Sequence, residues 1–187
     1  MKIHIENLCK SYGGSPVLKN VSFTAGPGVT CIMAPSGSGK TTLLRILLGL
    51  ERPDSGTVGL PEQCRWSAVF QEDRLLEGLD AMGNLRFVLG SALDEAAALA
   101  LLAELRLEDA VGKPAREFSG GMKRRLALAR ALLAPFDVLA LDEPFTGLDQ
   151  DNRERAWRCV REHAAGKPVL LVSHELPPEG AYDLVRL

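Results

Sequence analysis

Over the first seventy residues, apolar positions come in short runs broken by turn-forming residues. Ile3 to Leu8, Val17 to Phe23, Val29 to Met33, Gly56 to Val58 and Trp66 to Phe70 read as β-strands. Gly13-Gly14, Gly26-Pro27-Gly28 and Asp54-Ser55-Gly56 supply the turns between them. One helix interrupts this pattern, from about Gly39 to Leu50. Residues 80 to 133 are rich in Ala, Leu, Glu and Arg and read as helical, with Leu99, Leu102 and Leu105 expected in the core. The β pattern then returns at Asp137 to Leu141, a charged helix runs from about Asp149 to Ala165, and Val169 to Val172 is again apolar throughout. Two unbroken apolar strands flanking a helix are what buried parallel strands require, since helices cover both faces of such a sheet. A last strand is expected over Tyr182 to Leu187.

Composition narrows the class. The 187 residues, 46% hydrophobic and 25% charged, are those of a globular protein able to bury roughly 70% of its unfolded surface, which excludes a disordered or fibrous chain. The 22 basic and 24 acidic residues are interspersed and leave a net charge of -2, so no basic stripe exists for a phosphate backbone and nucleic acid is not an expected partner. Cys9, Cys31, Cys64 and Cys159 form no C-x-x-C pair, and free thiols in a reducing cytosol are expected. The opening MKIHIENLCK alternates polar and apolar residues and does not resemble a signal peptide. The leucine-rich stretch Leu43 to Leu50 contains Arg45 and falls well short of the roughly 18 apolar residues of a membrane span, so any membrane role is expected to be peripheral.

Three segments carry chemistry. The strand Val29 to Met33 runs into Ala34-Pro35-Ser36-Gly37-Ser38-Gly39-Lys40-Thr41-Thr42 and then a helix, which is the strand-loop-helix setting of a phosphate-binding loop. Its glycines let backbone N–H groups converge on an anion, Lys40 can reach the β and γ phosphates, and the Thr41 hydroxyl can ligate magnesium. Ala34 stands where the pattern has its first glycine; at positive φ it would cost about 1–2 kcal/mol, and at negative φ almost nothing. Second, the apolar run Val138 to Leu141 ends in Asp142-Glu143. Asp142 can hold a magnesium shell while Glu143 polarises a water in line with the γ-phosphate; the alternative is a solvated pair opening a turn. Third, Ser119-Gly120-Gly121 opens a long helix, read alone as an ordinary capped N-terminus and otherwise as a second anion site.

In their order along the chain, these segments resemble the nucleotide-binding subunit of an ABC transporter. Tyr12 resembles the aromatic that stacks on adenine, Ser36 to Thr42 the Walker A loop, and Gln71 the Q-loop glutamine. Phe118 to Met122 resembles the LSGGQ signature, with Phe118 and Met122 departing from its usual Leu and Gln. Asp142 and Glu143 resemble the Walker B aspartate and catalytic glutamate, Gly147-Leu148-Asp149 the D-loop, and His174 the switch histidine. The resemblance implies an α/β P-loop NTPase of ABC type, with a mixed sheet core, an N-terminal antiparallel β portion and an inserted helical subdomain. It places the nucleotide core at residues 1–71 and 130–187, with the helical subdomain at 72–129. It implies ATP and Mg²⁺ as ligands, with Glu143, His174 and Gln71 catalytic. Tyr12, Ser36, Gly37, Ser38, Gly39, Lys40, Thr41, Thr42, Ser119, Gly120, Gly121 and Asp149 would bind nucleotide, and Thr41, Gln71 and Asp142 would hold the metal. The implied partners are a transmembrane permease subunit, a second copy or second cassette, and a solute-binding protein. The implied location is the cytoplasmic face of the cell membrane. Phe70 to Leu76 is similar to importers of nitrate, sulfonates and taurine, and import is the expected direction.

Overall fold

A computed structural model describes every residue from Met1 to Leu187 except Ser36 and Glu62. The chain packs as two compact units, Met1–Trp66 with Phe136–Glu143 and Gly166–Leu187, and Ser67–Pro135 with Pro144–Ala165. By packing, residues 144–165 fall in the second unit.

In the first unit, β1 (Ile3–Tyr12) and β2 (Ser15–Ala25) form a hairpin closed by Gly13 and Gly14, both at positive φ, as a tight turn between right-twisted strands demands. β4 (Ser55–Gly59) pairs antiparallel with the other edge of β1. Gly56 at φ 89 lies so close to Asn7 that an added Cβ would sit 2.4 Å from its carbonyl oxygen. A parallel set follows: β3 (Gly28–Met33), β6 (Val138–Asp142), β7 (Pro168–Val172) and β8 (Tyr182–Arg186) lie side by side in the order β6-β7-β3-β8. All five residues of β6 and of β7 are buried, so the unbroken apolar runs do mark strands covered on both faces. The helix α1 (Lys40–Leu47) follows β3 and buries Leu43, Leu44, Ile46 and Leu47.

β5 (Trp66–Val69) leads into the second unit, which is helical: α2 (Ala81–Leu89), α3 (Glu95–Glu104), α4 (Gly120–Leu133) and α5 (Gln150–His163), with short 3₁₀ turns between. Leu102 and Leu105 are buried as expected, but Leu99 is 48% exposed. The buried face of α3 starts one residue earlier, at Ala98, Leu101, Leu102 and Leu105, which is the i, i+3, i+4, i+7 spacing. No helix among the described residues is long and apolar enough to cross a membrane.

Candidate functional site

The phosphate loop is built by glycine. Gly37 has φ 79 and Gly39 φ 91, conformations that L side chains rarely take. Gly39 caps α1 without a side-chain hydrogen bond, and no acidic residue sits in the first helical turn, so the N–H groups there are left for an outside acceptor. Lys40 is only 8% exposed; its Nζ donates to the carbonyls of Ala34 at 2.6 Å and Pro35 at 3.2 Å, which folds the ammonium over the loop. Ser38 Oγ is buried and has no partner among the described residues, an unmet polar atom in keeping with an anionic ligand. Ala34 is not among the residues at positive φ, so the missing glycine costs the backbone nothing. Ser36, expected in this loop, lies outside the described residues. Thr42 follows on α1, partly buried.

Neighbouring strands bring the acidic groups to the same unit. Asp142 ends β6, 2% exposed, and accepts a 2.8 Å hydrogen bond from the Thr41 hydroxyl on α1. These two oxygens suit a hard cation such as magnesium. No cluster of three or more His, Cys, Asp or Glu able to hold a metal occurs among the described residues. Glu143 sits at φ 50, an uncommon conformation for a non-glycine residue, while its N–H still donates to Val172 O at 2.9 Å as an extension of the β6–β7 ladder. Its side chain is 13% exposed, and its Oε1 lies 3.1 Å from Nε2 of His174 just beyond β7. The His174 N–H donates to the other carboxylate oxygen at 3.4 Å. Tyr12, at the tip of the β1–β2 hairpin, is 47% exposed.

The remaining expected residues belong to the helical unit. Ser119 Oγ accepts from Met122 N at 3.2 Å and caps α4, with Gly120 and Gly121 in its first turn. Phe118, in place of the usual leucine, is buried at 6% exposure and anchors the segment just before the cap. Asp149 caps α5: its carboxylate accepts from Asn152 N at 2.9 Å and from Asn152 Nδ2 at 2.7 Å, and these bonds hold its carboxyl below the usual range. The Gln71 side chain is exposed, and its carbonyl is held by Arg124.

Sequence reasoning missed three arginines on α4. Arg124, 8% exposed, donates to Phe70 O at 2.7 Å and Gln71 O at 2.6 Å and pairs with Asp73 at 3.2 Å. Arg130 donates to the carbonyls of Arg74 and Asp73. Arg125, also 8% exposed, donates to Leu105 O, Arg106 O and Asn152 Oδ1. Desolvation pushes Arg125 and Arg130 below and Asp73 above their ordinary pKa ranges, the last against the pull of Arg124. The trace in the sequence is three arginines within Arg124 to Leu133, a stretch otherwise made of Ala and Leu.

Comparison with known proteins agrees with this arrangement. The family model "ABC transporter" matches residues 18–146. The chain is 40% identical to the Nod factor export ATP-binding protein I of Paraburkholderia xenovorans over 92% of its length and 62% of that protein's. It is 41% identical to an aliphatic sulfonates import ATP-binding protein of Agrobacterium fabrum, covering 91% of this chain and 64% of that one. To the taurine import ATP-binding protein of Pseudomonas fluorescens it is 37% identical, covering 93% and 72%. The chain thus spans about three fifths of the length of the first curated relatives it matches. Among solved structures, an ATP-binding subunit of an ABC transporter superposes with a TM-score of 0.82 at 26% identity, over 94% of this chain and 80% of that one. An ATP-bound bacterial Atm1-family ABC exporter, at 23% identity and the same TM-score over 94% of this chain and 35% of its own, shares the fold. With the motifs in their expected order and a family match running from β2 past Glu143, the chain belongs to the ABC transporter family.

Proposed function

We propose that this chain binds and hydrolyses ATP as the motor subunit of a transporter, working through a transmembrane permease on the cytoplasmic face of the cell membrane. The observation that carries this reading is the pairing of Glu143 with His174 at the ends of β6 and β7, in the same unit as the Thr41–Asp142 pair and the phosphate loop. Lys40 and the N–H groups of Gly37 to Thr42 receive the β and γ phosphates. Thr41 and Asp142 are the residues of this unit that would hold Mg²⁺, with Gln71 as the third expected ligand. When bound, the ion neutralises charge on the phosphate oxygens. Glu143 takes the proton of the attacking water or orients it, and His174 keeps the carboxylate facing the reaction and can hydrogen-bond the γ-phosphate. Functionally, the nucleotide core remains residues 1–71 and 130–187 around a helical subdomain at 72–129. A second copy, or a second cassette, supplies Ser119, Gly120, Gly121 and Asp149 to the same nucleotide, as the second anion site on each chain suggests.

The permease would dock after Gln71, through Arg86 and along α2, where Leu76, Leu79, Phe87 and Val88 are exposed. Import is the direction we adopt: relatives named for sulfonate and taurine import support it and those named for Nod factor export weigh against it. A solute-binding protein belongs to that reading. Glu143→Gln tests the catalytic core: ATP binding is retained while turnover falls by about 10²–10⁴. Hydrolysis by this variant at the wild-type rate would refute the assignment.

A further inference from the structure

Tyr12 is the last residue of β1, at the tip of a two-glycine hairpin, where an aromatic ring has little to pack against. It is nevertheless anchored. Its hydroxyl donates to Glu51 Oε1 at 2.5 Å, and Lys10 Nζ lies 5.5 Å from the ring centroid and 3.4 Å from the same carboxylate oxygen. The other oxygen of Glu51 lies 3.7 Å from Arg45 Nε on α1. Tyr12, and then Lys10 and Arg45, hold the Glu51 carboxyl below its ordinary range, so it stays an acceptor throughout the neutral region. Glu51 follows α1 directly through a closed C-terminal turn, in which Gly49, at φ 70, donates to Ile46 O and Leu50 donates to Arg45 O. The far end of the helix that begins at Lys40 is therefore tied to the hydroxyl of Tyr12.

We infer that Glu51 is a positioning residue that fixes the Tyr12 ring at a set distance from the phosphate loop, so that the site selects a triphosphate carrying a base at that distance. α1 has eight residues and is about 12 Å long, a rigid spacer between the two ends of such a ligand. The inference rests on the reading of Tyr12 as the base platform, and the test separates the two.

Equilibrium titration with ATP and with inorganic tripolyphosphate, which has no base, is carried out on the whole chain and its variants. Tyr12→Phe, which keeps the ring and loses the hydroxyl, and Glu51→Ala should each weaken ATP binding by about three- to tenfold and leave tripolyphosphate binding unchanged. Since both remove the same bond, the double variant should be no weaker than either alone. Glu51→Gln, which keeps an acceptor for the hydroxyl but no charge for Lys10 and Arg45, should bind ATP within about twofold of the wild type. The inference is overturned if Glu51→Ala leaves ATP binding intact, if the two losses multiply, or if tripolyphosphate binding falls in parallel. If Tyr12→Ala leaves ATP binding unchanged, the base-platform reading fails as well.

Discussion

Two glycines of the phosphate loop, both at positive φ, differ in what surrounds them, and that difference can be measured. An added Cβ at Gly37 would meet nothing within 4 Å among the described residues; at Gly39 it would sit 2.7 Å from Val17 Cγ1, 2.7 Å from Leu18 Cδ2 and 2.9 Å from Val17 O. Gly37→Ala therefore costs the left-handed backbone term, about 1–2 kcal/mol. The entropy that alanine removes from the unfolded chain, about 0.4–1 kcal/mol, offsets part of it. Gly39→Ala carries the same terms and an overpacking cost of about 1–3 kcal/mol. Leu18 is 2% exposed and the Val17 carbonyl belongs to β2, so neither neighbour moves cheaply. The Gly39 variant should thus be the less stable by about 1–3 kcal/mol. Trp66 lies in the first unit and Trp157 in the second, so in a Trp157→Phe background the fluorescence of Trp66 during urea unfolding reports on the unit that holds the loop. Equal midpoints for the two variants would show that the approach of β2 to the loop does not constrain Gly39.

Arg125→Ala strips the donors from Leu105 O, Arg106 O and Asn152 Oδ1, and should destabilise the helical unit by about 2–5 kcal/mol in unfolding followed by Trp157 fluorescence. Arg125→Lys should recover half or more of that, because the three acceptors all converge on the single nitrogen Nη1 and an ammonium carries three donors on one nitrogen, so that only the Nε bond to Gly121 O is lost outright. A dimer mixing Lys40→Ala with Ser119→Arg subunits, each inactive as a homodimer, should retain one intact site and trap one ATP per dimer; zero trapped ATP would refute sharing of a site between copies.

The strands were legible because burial on both faces leaves few choices of residue: the runs read as Asp137 to Leu141 and Val169 to Val172 are β6 and β7 to within one residue at each end. The phosphate loop and Glu143 were legible for a related reason, since glycines in series and adjacent carboxylates after an apolar run have few other uses. What escaped the sequence depends on contacts distant along the chain. Arg124 binds carbonyls more than fifty residues away, and a carbonyl has no residue type to betray it. The bond between Tyr12 and Glu51 is equally silent, joining a hairpin tip to the exit of α1. The position of Leu99 was misread because α3 is apolar on nearly every side, so spacing alone could not say which leucines face inward.

β3, β7 and β6 are consecutive neighbours, and the phosphate loop, His174 and Glu143 each begin where one of them stops. Val172 aligns with Ile32 on one side and with Asp142 on the other. The candidate groups are therefore mounted at the end of a single buried backbone ladder whose strands lie about 4.8 Å apart, with His174 itself half exposed beyond it. Local opening in a folded protein starts at exposed turns and chain ends and reaches a buried parallel ladder last. Thermal fluctuation can thus loosen the hairpin that carries Tyr12 many times over while Glu143, whose N–H extends the β6–β7 ladder, and the root of the loop keep their spacing. On the roles proposed above, the chain could lose its hold on a base without dismantling the groups assigned to the phosphate.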